Sequence, residues 1–149
     1  MDIKAFLSQN DAFLDVRASD KTGLLNELCA RAGKALNRNP EPIATEILRR
    51  EELGSTGLGG GIAIPHARIA ELSAPFGVIA RLRRPIDFDA IDGQPVDIVF
   101  LLLLPMTPAG EQLNALAAVA RKLRDADIVR ALRAAQDSST LYVAVTAAP

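Results

Sequence analysis

An α/β sandwich is the fold class this 149-residue chain predicts, and three observations carry it. Segments with apolar residues at helical spacing interleave with short runs of branched and large apolar residues, the alternation of an α/β architecture. One of those runs, Val96 to Leu104, is almost continuously apolar and ends at Pro105, the pattern of a central strand covered on both faces. The length and the 49% apolar content suit a single domain, 1–149, with one real core. The order of the strands cannot be read from this pattern.

The elements follow in order. Ala12 to Val16 reads as a short strand. Over Ser19 to Leu36, the residues Leu24, Leu25, Leu28, Cys29, Ala32 and Leu36 recur at helical spacing, with Ser19 as the candidate cap and Asp20 in the first turn. Asn39-Pro40 opens a second helix as a cap followed by proline at the first position, Ile43, Ile47 and Leu48 form its apolar stripe, and Gly54 stops it. Phe76 to Leu82 alternates as a strand does, and Asp92-Gly93 marks a turn before Val96. Thr107-Pro108 repeats the cap-then-proline start, followed by a stripe of Leu113, Leu116, Ala117, Ala120 and Leu123. Asp127 to Ala135 is a short helix carried by Ile128, Val129 and Leu132. Leu141 to Thr146 has the composition of a strand but follows Asp137-Ser138-Ser139, which has the look of a helix cap.

Charge and composition exclude several functions. Seventeen basic residues against eighteen acidic ones leave a net charge of −1, so the chain carries no electrostatic footprint for nucleic acid or membrane surfaces. A single cysteine, Cys29, rules out an intrachain disulfide and a cysteine zinc cluster, and its place on an apolar stripe marks it as a core residue. A single histidine, His66, rules out a multi-histidine metal site. No metal or cofactor is expected. The N-terminus does not read as a secretory signal, and no apolar run approaches the about 18 residues of a membrane span. The expected location is the cytoplasm.

Chemistry concentrates in Gly54-Ser55-Thr56-Gly57-Leu58-Gly59-Gly60-Gly61-Ile62-Ala63-Ile64-Pro65-His66-Ala67-Arg68. Glycines allow close backbone approach and positive φ, and successive N–H groups in such a loop can form an anion-binding concavity. Ser55 and Thr56 add hydroxyl donors, and the only imidazole follows behind a proline. The segment is not a P-loop, since no Gly-Lys-Ser/Thr follows the glycines, and it lacks the last small residue of the dinucleotide fingerprint. On residues alone, a flexible connector with a chance histidine competes with a functional His66. Arg50, in the last turns of the second helix where the dipole favours a cation, reads by itself as a solvated helix charge that can pair with Glu46.

The run GSTGLGGGIAIPHARI resembles the phosphorylation-site signature of the fructose/mannitol-type enzyme IIA family of the bacterial phosphoenolpyruvate phosphotransferase system. PIDFDAIDGQPVDIVFLLLLP resembles the nitrogen-type branch of that family, and the likeness runs in register from about Ile3 to Tyr142. The resemblance implies a mixed β-sheet flanked by helices on both faces, with a helical C-terminal end, and it turns Leu141 to Thr146 toward helix. It also implies a phosphocarrier: His66 accepts a phosphoryl group at Nε2 from a phosphohistidine on an HPr-like carrier, and Arg50 stands near the phosphohistidine. Nδ1–H of His66 is expected on a backbone carbonyl, with Ser55, Thr56 and loop N–H groups around the phosphoryl oxygens. The family's usual second histidine is replaced by Gln112, in Glu111-Gln112-Leu113, whose amide can donate a hydrogen bond but cannot gain a proton near neutrality. Taking Leu113 and Leu116 as core-facing puts Gln112 at the edge of the stripe. Three functions compete: a regulator whose phosphorylation state selects protein targets, a sugar-specific component that passes the group to an EIIB domain, and a non-phosphorylated interaction domain of the same fold.

Overall fold

The computed structural model describes residues 2–106 and 109–147 and, within 109–112, the backbone alone. Thr107-Pro108 and the side chain of Gln112 therefore lie outside the described residues.

Two single-turn 3-10 helices, Ile3–Ala5 and Gln9–Asp11, lead into β1 (Ala12–Val16). Then come α1 (Lys21–Leu36), α2 (Pro40–Glu52), β2 (Gly57–Gly59), β3 (Ile62–Ala63), β4 (His66–Arg68), β5 (Phe76–Ile86), β6 (Val96–Leu104), α3 (Ala109–Arg124), α4 (Ala126–Ala134) and α5 (Ser138–Thr146). The strands form one mixed sheet in the order β1-β5-β6-β3-β2, with β4 also paired to β6. β6 pairs antiparallel with β5 and parallel with both β3 and β4. The expected sheet with helices on both faces is what the chain forms.

Alternation along β6 explains its apolar run. Val99, Leu101 and Leu103 join one buried cluster, with residues of α1 and α2. Ile98, Phe100, Leu102 and Leu104 join the other, with residues of α3, α4, α5 and the N-terminal turns. Successive side chains of a strand point to opposite faces, so a strand covered twice is apolar throughout. Phe100 meets Phe6 edge to face at 6.3 Å between ring centroids, and its ring lies where a Cβ on Gly77 would sit, 2.7 Å away.

Several boundaries differ from those expected. The cap of α1 is Asp20, whose carboxylate accepts from the Gly23 N–H at 2.8 Å, and Ser19 stands outside the helix. An ionised side chain three residues before a free N–H makes the stronger cap. β5 continues past Leu82 to Ile86, with its register against β6 broken between Arg81 and Ile86. The stripe of α3 is turned from the one expected: Ala115, Ala118, Val119 and Leu123 are buried, whereas Leu113 is 64% exposed and Ala117 is exposed. Small alanines let this helix lie close on the sheet, and the large apolar Leu113 misled the reading of its face. The edge strand β1 has a register break against β5 between Phe13 and Val16, with Asp15 at φ 53°.

Cys29 is fully buried on α1, and burial pushes its thiol up to about 12. It is a packing residue. Among the described residues, no helix is long and apolar enough to cross a membrane.

Candidate functional site

The glycine-rich stretch is a hairpin rather than an open loop. Gly57 pairs with Ala63 and Gly59 with Ile62 as β2 and β3 run antiparallel. The tight connection needs positive φ at Gly59, Gly60 and Gly61, 96°, 66° and 83°. Its tip is pinned from two sides. Asp92 accepts the Gly60 N–H at 2.9 Å, and Arg133 donates to the Gly60 carbonyl while pairing with both oxygens of Asp97 at 3.0 Å. Over this stretch the N–H of Gly60 holds the Asp92 carboxylate, and the positive φ of three glycines serves the turn.

The preceding segment, 54–56, leaves the end of α2, and its Thr56 carbonyl accepts the Ile64 N–H at 3.1 Å. Arg50 donates to the Gly54 carbonyl at 2.9 Å. Glu46, the alternative partner for Arg50, instead holds Arg49 at 2.6 Å. Ser55 donates its hydroxyl proton to the Phe88 carbonyl at 2.7 Å and accepts from the Gly57 N–H at 3.0 Å. Thr56 is buried, and both its N–H and its hydroxyl donate to Glu51. A hydroxyl has one proton. In this structure both hydroxyls expected to face a phosphoryl group have their protons on partners within the protein.

Glu51, which the sequence reading passed over, is 8% exposed. Its carboxylate also pairs with Lys21 at 2.8 Å. The Lys21 ammonium in turn lies 4.6 Å from the centroid of the Phe88 ring. The only signal for Glu51 was its place next to Arg50 at the end of a helix, a place that surface carboxylates also occupy.

His66 begins β4, opposite Leu102 of β6, and is half-buried. Its Nδ1 lies 2.8 Å from the Ile64 carbonyl. A carbonyl only accepts, so Nδ1 carries the proton and Nε2 keeps its lone pair. Among the described residues, no hydrogen-bond partner reaches Nε2. Burial lowers the imidazole pKa; the bond to Ile64 raises it, the Arg50 charge lowers it and the Glu51 charge raises it, with a net downward shift. At neutral pH His66 is thus an uncharged ring with Nδ1 held and its lone pair at Nε2, the state of a nucleophile. Arg50 and His66, separated in sequence, are brought within electrostatic reach of each other. Among the described residues, no group of three His, Cys, Asp or Glu side chains is arranged to hold a metal ion.

The lowered His66 pKa makes a stability prediction. Below the ordinary histidine value of about 6.5, the unfolded chain binds a proton that the folded protein resists. Stability is therefore fully retained above about pH 6.5 and falls as pH drops below it. Urea titrations between about pH 5.5 and 7.5 should show this loss in the native protein, and His66→Gln should remove that part of it. An unchanged pH dependence in the variant refutes the assignment.

Comparison with known proteins adds to this geometry. Residues 5–147 match the family described as phosphoenolpyruvate-dependent sugar phosphotransferase system, EIIA 2. A nitrogen regulatory protein of Bradyrhizobium diazoefficiens is 44% identical over 134 residues, covering 90% of this chain and 88% of that protein. One from Escherichia coli is 43% identical over 132 residues, covering 88% and 81%. The crystal structure of nitrogen regulatory protein IIA-Ntr from Neisseria meningitidis superposes with a TM-score of 0.91 at 33% identity, covering 97% of this chain and 99% of that one.

Proposed function

The chain belongs to the EIIA 2 family of the phosphoenolpyruvate-dependent sugar phosphotransferase system, and from that premise we propose that it is a cytoplasmic phosphocarrier that accepts a phosphoryl group on Nε2 of His66. The donor in this reading is a phosphohistidine on an HPr-like carrier, and the phosphorylated form regulates protein targets. The observation that carries the proposal is the state of the ring: Nδ1–H on the Ile64 carbonyl, which leaves the lone pair at Nε2, and a pKa depressed by burial.

The step balances on this chain's own atoms. The Nε2–P bond of His66 forms as the N–P bond of the donor breaks, and the donor imidazole leaves with the electron pair. Positive charge that develops on the His66 ring is stabilised at Nδ1–H by the Ile64 carbonyl. The phosphoryl group spreads its charge over three equatorial oxygens, so positioning and electrostatics supply most of the catalysis. Arg50 supplies the cation in this reading, with Gln112 as a neutral donor in the place of the family's second histidine. Ser55 and Thr56 act as the fixed frame of the 54–56 segment.

Incubation with phosphoenolpyruvate, enzyme I and an HPr-like carrier, followed by intact mass, tests the proposal; a gain of one phosphoryl group is expected. Continued absence of that gain sinks it and leaves the non-phosphorylated interaction domain. Transfer from the phosphorylated protein to a purified EIIB domain would instead favour the sugar-specific role. The nitrogen-regulatory relatives at 43–44% identity favour the regulatory one.

Arg50 gives a further prediction. Arg50→Ala should slow transfer by about 10- to 100-fold, the loss of one charge-assisted contact to a transferring group. Arg50→Lys should recover only part of it, since lysine keeps the charge but lacks the planar fork. Stopped-flow transfer rates that match the native protein in the alanine variant would make Arg50 a clamp for Gly54 alone.

A further inference from the structure

We propose that Glu51 is a positioning residue for transfer at His66, acting through Thr56 and Ile64; the proposal rests on the reading of His66 as the phosphoryl acceptor. A continuous series of contacts links α1 to the imidazole. Lys21 pairs with Glu51 at 2.8 Å, and Glu51 takes both the N–H and the hydroxyl proton of Thr56. The Thr56 carbonyl accepts the Ile64 N–H at 3.1 Å, and the Ile64 carbonyl takes Nδ1–H of His66 at 2.8 Å. Ile64, whose carbonyl sets the His66 tautomer and ring orientation, is thus itself held by Thr56 through its N–H, and Thr56 is held by Glu51.

Two features argue that this chain of contacts serves the site and not stability alone. A buried ion pair gains little over apolar side chains of the same volume, because both ions must be stripped of water. Yet Glu51 is buried, and its partner Lys21 lies over the ring of Phe88, a fully buried member of a large apolar cluster. Second, Arg50 and Glu51 are adjacent on the last turn of α2 and hold opposite ends of one short segment, Gly54 by its carbonyl and Thr56 by its two donors. Together they fix the segment, and with it the Arg50 guanidinium relative to His66. Glu51 does not touch the reacting nitrogen, and the acceptor of Nδ1–H is Ile64, so its part is to position and not to move a proton.

Three variants test this: Thr56→Val, which keeps the volume and removes the hydroxyl, Thr56→Ser, which restores it, and Glu51→Gln, which keeps the shape and removes the charge. Single-turnover transfer from a phosphorylated HPr-like carrier gives the saturated rate and the half-saturating donor concentration. Nitrogen NMR of the imidazole gives the His66 tautomer. Thr56→Val and Glu51→Gln should each lower the saturated rate by about tenfold, with the half-saturating concentration unchanged and the Nδ1–H tautomer less populated. Thr56→Ser should recover most of both. The Glu51→Gln/Thr56→Val double variant should transfer no more slowly than the slower single, because both act through one contact.

Native tautomer populations together with native saturated rates in folded Thr56→Val overturn the role. So does a rate loss that only follows the unfolded fraction. If Glu51→Gln does not fold, the two Thr56 variants decide alone. No phosphoryl uptake by the native protein overturns the acceptor reading itself, and this role with it.

Discussion

His66→Ala should abolish phosphoryl uptake, leaving no mass gain after incubation with phosphoenolpyruvate, enzyme I and the carrier under conditions that label the native protein to completion. His66 is the only histidine in the chain, so no other imidazole can take over. The label on the native protein should be lost in acid and survive alkali, as expected for phosphorus on nitrogen. The fold should survive, because the side chain is half-buried and its hydrogen bond to Ile64 contributes on the order of 1 kcal/mol. Uptake that persists unchanged in the alanine variant would move the acceptor elsewhere and undo the functional reading.

The largest stability effect should come from Phe100→Ala. Phe100 has no exposed surface, sits on the central strand β6 and packs against Phe6 and the bare backbone of Gly77. Truncating such a ring removes its transfer free energy and leaves a cavity, about 3–5 kcal/mol in comparable cores. Natural domains have only about 5–15 kcal/mol to lose. For a chain of this size each kcal/mol shifts Tm by roughly 2–4 °C, so a fall of roughly 10 °C is expected in thermal melts. Well below the new Tm, transfer should persist, because β4 joins β6 through backbone bonds two residues away, at Leu102. A loss under about 1 kcal/mol would mean that the helices α3 to α5 close over the void, against the usual incomplete relaxation.

How far the sequence could be read depended on how local the deciding contacts were. β6 and β1 were found with the boundaries the structure has, and Asn39-Pro40 opens α2 as expected, because period and cap chemistry are local. The face of α3 was misjudged because burial of small Ala115 and Ala118 depends on how closely the helix approaches the sheet, which side-chain size does not reveal. The end of β5 was missed because Arg83 and Arg84 break the alternation where the register against β6 shifts. The hairpin over Gly57–Ala63 was hidden by its glycines, which weaken any strand signal and are there for the turn.

For the site, the imidazole and the carbonyl on Nδ1 follow the expected pattern, and the family likeness stated from two motifs agrees with the match over residues 5–147. Glu51 could not be read, since its burial depends on Thr56 folding back over the helix end and on Lys21 arriving from α1. Contacts across three elements leave no periodic trace.

The register break at Asp15 has a consequence for how copies of the protein meet in concentrated solution. An open sheet ends in strands whose outer N–H and C=O groups can template pairing with another chain. Here the outer strands on one side, β2 and β4, are only three residues long. On the other side, β1 is five residues long and interrupted at Asp15, where a left-handed backbone and an exposed carboxylate fall in the middle of the strand. An incoming strand would find no straight run of pairing groups and would meet a negative charge. Replacing Asp15 by glycine would keep the backbone turn and remove only the charge, whereas valine would strain the turn and favour a straighter rim. The valine variant is the one that should seed edge-to-edge aggregation on storage.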